Sequence, residues 1–151
     1  MRLVIQRVSE ARVTIGGNTA GSIGPGLVIL AGIAKTDTET EADYLSDKVL
    51  GLRIFPDQEG KMNRNVAEAS GSILVVSQFT LYGDCRRGRR PSFDDAASPQ
   101  QAQALYDYLV ARLRAGPVKV ATGVFQATME VSLVNQGPVT ILMDTADRDK
   151  K

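Results

Sequence analysis

The chain has 151 residues, of which 43% are hydrophobic and 23% charged, and 18 Lys and Arg stand against 17 Asp and Glu for a net charge of +1. That length can bury a core without staples, and the balanced charge excludes a chain-wide field that would recruit nucleic acid, so any RNA contact must come from a local cluster. No run approaches the roughly 20 apolar residues of a membrane helix, and the opening Met1-Arg2-Leu3-Val4-Ile5 is broken by Gln6, Arg7 and Ser9. It lacks the unbroken apolar core of a signal peptide, so a cytoplasmic location is expected.

Leu3-Val4-Ile5 and Arg12-Val13-Thr14-Ile15 read as strand, followed by a Gly16-Gly17-Asn18 turn. Gly24-Pro25-Gly26 opens the apolar run Leu27 to Ile33, which predicts a buried strand. Thr38 and Glu41 match a capping box, and Leu45, Val49 and Leu52 then make one apolar helical face. Arg53-Ile54-Phe55 and Ile73 to Val76 read as strands, with Gly60-Lys61-Met62-Asn63 as a turn into a short strand between them. Ser98, Pro99 and Gln101 mark the start of a second helix, Leu105, Leu109 and Leu113 its buried stripe, and Gly116-Pro117 a left-handed stop. Val118-Lys119-Val120 follows, and then Met129 to Val134 and Val139 to Met143 flank Asn135-Gln136-Gly137-Pro138 as an expected tight hairpin. The pattern predicts one α/β domain over 1–151, its β-sheets packed on each other with two helices covering one side, and a frayed tail at 147–151.

The sequence has no histidine and a single cysteine, Cys85. That excludes a Ser-His-Asp or Cys-His device, an intramolecular disulfide and a His- or Cys-rich zinc site. Proton transfers near neutral pH would fall to a carboxylate, lysine, hydroxyl, backbone group or the substrate itself. No metal or cofactor is expected.

Three segments are candidates for chemistry. Ser77-Gln78-Phe79-Thr80-Leu81 directly follows an apolar strand, where hydroxyls, an amide and free backbone N–H groups can assemble an oxyanion hole. The same residues serve equally well to satisfy backbone groups at a strand end. Arg86, Arg87, Arg89 and Arg90 surround Gly88 and form either a phosphate-binding patch or a solvated loop, with Asp84, Asp94 and Asp95 nearby to offset them. Asn135-Gln136-Gly137-Pro138-Val139-Thr140 is, by itself, a turn.

Together, Ser77-Gln78-Phe79-Thr80-Leu81 and Asn135-Gln136-Gly137-Pro138-Val139-Thr140 resemble the paired signature of the D-aminoacyl-tRNA deacylases. Met1 to Val8, Gly24-Pro25-Gly26-Leu27, Gly60-Lys61-Met62-Asn63 and Arg90-Pro91-Ser92-Phe93 extend the resemblance along nearly the whole chain. Gln136 departs from it, since the family pattern has aspartate there. The resemblance implies a homodimer with sites at the subunit interface, Ser77, Gln78, Phe79 and Thr80 coming from one chain and Gly137-Pro138, with a cis bond, from the other. It implies hydrolysis of D-aminoacyl- and glycyl-tRNA with rejection of L-aminoacyl-tRNA. The Phe79 N–H and its neighbours would face the carbonyl oxygen, Ser77 and Gln78 would hold the ester, and Gly137-Pro138 would select chirality. Thr80 as a covalent nucleophile is the alternative mechanism. An RNA-binding module relying on the arginine loop alone, or a catalytically silent interaction protein, are the other classes the residues allow.

Overall fold

The computed structural model describes residues 1–148. Ten regular elements follow in chain order: β1 (Arg2–Ile15), β2 (Asn18–Ile23), β3 (Gly26–Gly32), α1 (Glu39–Gly51), β4 (Phe55–Pro56), β5 (Met62–Arg64), β6 (Ser72–Ser77), α2 (Pro99–Arg114), β7 (Lys119–Thr122) and β8 (Glu130–Asp144). The layering expected from the sequence is realised by one six-stranded mixed sheet that curls over on itself. Its order is β2-β1-β3-β6-β7, with β8 also paired to β1. β3 and β6, and β6 and β7, run parallel, and the other pairs of this sheet run antiparallel. The curl brings β2 back toward β7 so closely that a Cβ added at Gly21 would lie 2.4 Å from the Thr122 carbonyl oxygen. β4 and β5 form a separate small ribbon.

Strand alternation sends side chains to two different cores. Leu27, Ile29, Ala31, Ile73 and Val75 face the helices, whereas Val28, Leu74 and Val76 fill the inside of the curl. β1 changes parity midway: Leu3 and Ile5 join the helical core, while Ala11 and Val13 join the inner one with Val8. The cause is an extra residue in β1, because Val8 pairs Asn135 and Glu10 already pairs Val134. Such a bulge bends the strand and turns its following side chains to the opposite face.

Both helices start where expected. The Thr38 hydroxyl accepts from the Thr40 N–H at 3.3 Å, and Glu41 accepts from the Thr38 N–H at 2.8 Å. In α2 the Ser98 hydroxyl caps the Gln101 N–H, but the Gln101 side chain does not reach back to complete a box. It donates instead to the carbonyls of Lys35 and Asp37 at 3.1 and 3.3 Å, tying α2 to the approach of α1. Leu105, Leu109 and Leu113 are buried. At about 1.5–3 kcal/mol each this stripe outweighs a cap of about 1 kcal/mol, so packing holds α2 in place. The left-handed stop expected at Gly116 is absent: the chain leaves through Ala115 in helical conformation (φ −70°) and Gly116 has no positive φ. Gly116 is small for another reason, since an added Cβ would lie 2.8 Å from Leu50 Cδ1 of α1.

The expected hairpin around Asn135–Pro138 is also absent. β8 is one continuous strand of 15 residues antiparallel to β1, and the segment bulges out of it. Gln6 pairs Thr140 and Val8 pairs Asn135, so the intervening residues of β8 loop out opposite Arg7. The local turn signal is real, but long strands on both sides pair with the same neighbour. At the C-terminal side Thr145–Asp147 form a short 3₁₀ turn, and the Arg148 guanidinium lies over the Tyr44 ring at 4.9 Å. The frayed tail expected at 147–151 is thus ordered at Asp147 and Arg148, and 149–151 fall outside the described residues.

Candidate active site

β6 ends at Ser77, which pairs with Ala31 of β3, and the Gln78 N–H donates to the Ala31 carbonyl at 2.8 Å. There the chain leaves the sheet and Phe79–Tyr82 coil into a 3₁₀ turn. The turn closes through Leu81 N–H to Gln78 O at 3.2 Å and Gly83 N–H to Thr80 O at 2.9 Å. As its first two N–H groups, those of Phe79 and Thr80 have no acceptor within the turn. The Gln78 side-chain amide donates to the Thr80 hydroxyl oxygen.

Beside this turn opens a cleft of about 650 Å³ lined by Ser77, Gln78, Phe79, Phe93, Phe125 and Met129 among others. Its walls are mainly apolar, with Ser77, Gln78 and Gln126 among its polar residues. Phe79 is 56% exposed, and its ring meets Phe93 edge-on with centroids 5.0 Å apart. Thr80 is exposed and does not line the cleft. Sequence reading missed Phe93, Phe125 and Met129 as wall residues. The aromatic type of Phe93 just beyond the arginine loop was an available signal, whereas nothing local marks Met129.

The arginine loop is pinched at its base by Asp84 and Ser92, which exchange backbone hydrogen bonds of 2.7 and 3.0 Å. Arg86 is not free: its guanidinium binds both Asp84 carboxylate oxygens, at 2.9 and 2.7 Å. Those hydrogen bonds hold the Asp84 carboxyl down at about 2 and raise the Arg86 guanidinium above its ordinary value. Arg87, Arg89 and Arg90 are exposed and, among the described residues, make no ion pair. The loop leads straight into Phe93, so its base is fixed to the cleft wall. On the other side of the turn, burial first, and then the charges of Asp37 and Asp144, push the Tyr82 phenol well above its usual range.

Gly137 and Pro138 do not meet Ser77–Thr80 within one chain, and none of residues 135–138 lines the cleft. Ser77 sits level with Ala31 and Leu3, whereas the bulge stands opposite Arg7. That separates them by about 13 Å along the strands alone. The bulge is firmly built. Asn135 accepts from the Val139 N–H at 2.7 Å and donates to the Val139 carbonyl at 3.1 Å. Arg7 donates to the Gln136 carbonyl at 2.9 Å and to the Ile54 carbonyl at 2.6 Å. The Gly137–Pro138 peptide is cis, and Gly137 has φ +141°. An added Cβ there would stand 2.7 Å from Val139 Cγ2, so glycine is required on two counts.

Among the described residues no group of three His, Cys, Asp or Glu could hold a metal ion, and no helix is long and apolar enough to cross a membrane.

Known proteins match this arrangement along its length. A D-aminoacyl-tRNA deacylase of Solibacter usitatus is 68% identical over 151 residues, covering 100% of both chains. One of Symbiobacterium thermophilum is 62% identical over 145 residues, covering 96% of each. The solved structure of a c-Myc DNA unwinding element binding protein superposes with a TM-score of 0.90 at 38% identity, over 96% of this chain and 99% of that one. A probable eukaryotic D-amino acid tRNA deacylase shares the fold, with a TM-score of 0.79 at 18% identity over 94% of this chain and 97% of the other. The family model for D-Tyr-tRNA(Tyr) deacylase matches residues 4–144, and the chain belongs to that family.

Proposed function

We propose that this protein hydrolyses the ester joining a D-amino acid, or glycine, to the 3′ end of tRNA, and spares L-aminoacyl-tRNA. The observation that carries the reading is the start of the 79–82 turn, whose Phe79 and Thr80 N–H groups receive no side-chain cap, next to an apolar cleft that Ser77, Gln78 and Phe79 line. An aminoacyl ester is already activated, so the protein needs chiefly to place it and to stabilise charge on its carbonyl oxygen. The Phe79 and Thr80 N–H groups take that oxygen, Ser77 and Gln78 hold the ester, and the aromatic cleft receives the terminal adenine. Water adds to the carbonyl carbon, with the neighbouring ribose hydroxyl relaying its proton. The ester C–O bond breaks, and the ribose 3′ oxygen leaves as a hydroxyl. This route uses no histidine, metal or cofactor.

Thr80 as nucleophile is the less favoured route. Its oxygen accepts a hydrogen bond from Gln78, which lowers its nucleophilicity, and among the described residues no carboxylate or lysine is bonded to it to act as a base. Because Gly137-Pro138 stands away from the cleft of its own chain, a second copy supplies it and the working unit is a homodimer. Arg87, Arg89 and Arg90 meet tRNA phosphates, whereas Arg86 is retained by Asp84. A proofreading role in translation sets the enzyme in the cytoplasm. The deciding experiment is deacylation of matched D- and L-aminoacyl-tRNA: selective loss of the D-ester is expected, and hydrolysis of neither or of both equally would overturn the reading.

A further inference from the structure

We infer that Arg2, held by Asp144, is a positioning residue that sets the aim of the Phe79 and Thr80 N–H groups; this rests on the ester-hydrolase reading above. Three strands lie in register at this end of the sheet, with Asp144 of β8 beside Arg2 of β1 and Arg2 beside Gly32 of β3. The 79–82 turn rests on that row. A Cβ added at Gly32 would lie 3.0 Å from Leu81 Cβ, 3.1 Å from the Gln78 carbonyl oxygen and 3.3 Å from Tyr82 Cδ2. The turn therefore packs directly on the β3 backbone, closely enough that a side chain at Gly32 would press on it.

Arg2 closes over the turn from the neighbouring strand. Its Nη1 donates to the Leu81 carbonyl at 2.6 Å, and its guanidinium lies 4.9 Å from the centre of the Tyr82 ring. Its Nε and Nη2 hold Asp144 Oδ2 at 2.8 and 2.7 Å. The other Asp144 oxygen accepts from the Ala146 N–H at 3.0 Å, so the carboxylate is oriented from both sides. The Asp144 side chain is only 10% exposed. One planar cation thus joins the carbonyl, the ring and the carboxylate, which a lysine ammonium cannot do at once.

A single 3₁₀ turn has little stability of its own. Its carbonyl end needs an outside donor, and Arg2 supplies it at Leu81. Since Leu81 N–H and Gln78 O close the same turn, a shift at Leu81 carries through to the Phe79 and Thr80 N–H groups. A displacement of about 1 Å in such a device costs on the order of 100-fold in rate. Arg2 touches no reacting atom in this scheme and acts only through the turn.

The test compares Arg2→Met, Arg2→Lys and Asp144→Asn with the wild type in two measurements. The first is kcat and KM for D-aminoacyl-tRNA, and the second is amide hydrogen exchange at Leu81 and Gly83 without tRNA. Arg2→Met is expected to lower kcat by about 10- to 100-fold with KM changed by no more than about twofold. Exchange at Leu81 and Gly83 should quicken while that of β6 and α2 stays slow. Arg2→Lys should recover part of the kcat loss. Asp144→Asn should fall short of Arg2→Met, and the double variant should be no worse than Arg2→Met alone. Unchanged exchange at Leu81 and Gly83 in Arg2→Met would overturn the clamp, as would faster exchange throughout the sheet or a loss confined to KM. The exchange measurement judges the clamp even if the wild type proves inactive on D-aminoacyl-tRNA, a result that would instead defeat the hydrolase reading.

Discussion

Arg7 donates to the Gln136 carbonyl at 2.9 Å and, with its other arm, to the Ile54 carbonyl at 2.6 Å, so one side chain ties the bulge of β8 to the segment leading into β4. Hydrogen bonds from a charged donor contribute about 1.5–3 kcal/mol each. Arg7→Ala should release the bulge and lower kcat/KM on D-aminoacyl-tRNA by roughly 10- to 100-fold, at about 1.4 kcal/mol per factor of ten. Arg7→Lys should rescue little, because an ammonium cannot span both carbonyls. Steady-state kinetics of the two variants check this, and wild-type kinetics in Arg7→Ala would remove the bulge from the mechanism.

The arginine loop should divide into one silent and three active members. Arg87→Ala, Arg89→Ala and Arg90→Ala should each weaken tRNA binding and reduce the slope of log affinity against log salt by about 0.7–0.9 for each phosphate no longer neutralised. Arg86→Ala should leave that slope unchanged, because Asp84 already holds its charge. Binding titrations across salt concentrations separate the four. Equal effects at all four positions would show that tRNA displaces Asp84.

Much of this architecture was legible from local pattern. The Thr38–Glu41 box, the Ser98 cap and the leucine stripe of α2 declare themselves within a few residues, because helices are built from near neighbours. The arrangement at Asn135–Pro138 was not, although its turn residues were plain. What makes it a bulge rather than a hairpin is continued pairing with β1 on both sides and the grip of Arg7, which lies far away in sequence. Gly32 and Arg2 escaped notice for the same reason: their importance lies in what the 79–82 turn rests on. Ser77–Thr80 was readable as a candidate because it follows an apolar strand, yet its cleft is completed by Phe93, Phe125 and Met129 from later segments.

Catalysis should not depend on a bound metal. With no histidine and one cysteine in the sequence, the protein could offer an ion only oxygen ligands for the most part, a set that suits Mg²⁺ or Ca²⁺ rather than Zn²⁺. Dialysis against a chelator should leave turnover on D-aminoacyl-tRNA intact, provided the tRNA is refolded with its own magnesium. Loss of turnover that zinc alone restores would contradict the scheme.

If Gly137-Pro138 works in the partner's cleft, two inactive variants should complement each other. One carries Thr80→Pro, which removes the N–H donor, and the other a substitution at Pro138. In a mixed dimer one site receives both lesions and the other receives neither. Random exchange of equal amounts should therefore restore roughly a quarter of wild-type activity. Measurement before and after subunit exchange decides the matter, and a fully active monomer would refute the shared site.

Chirality is expected to be read by exclusion, with Gly137-Pro138 as the selector. A site that accepts any D-side chain cannot recognise that side chain closely. It can fix only what all substrates share: the ester, the α-amino group and the α-hydrogen. Rigid backbone presented to the α-carbon would collide with an L-side chain, let a D-side chain point to solvent and let glycine pass. The bulge has the rigidity this requires, since Asn135 and Arg7 grip its backbone on both sides of Gly137. Glycyl-tRNA should accordingly be hydrolysed along with D-aminoacyl-tRNA, a leak that a steric device cannot close. A clash of about 2.7 kcal/mol already gives 100-fold discrimination. Gly137→Ala is the sharpest probe, because the new Cβ would meet Val139 Cγ2 at 2.7 Å and Arg7 Nη2 at 3.1 Å and must displace the selector. Rates on matched D-, L- and glycyl-tRNA should show the D-to-L ratio collapsing in that variant, through a slower D-reaction, a faster L-reaction or both. An unchanged ratio at full D-activity would place chiral selection elsewhere in the cleft.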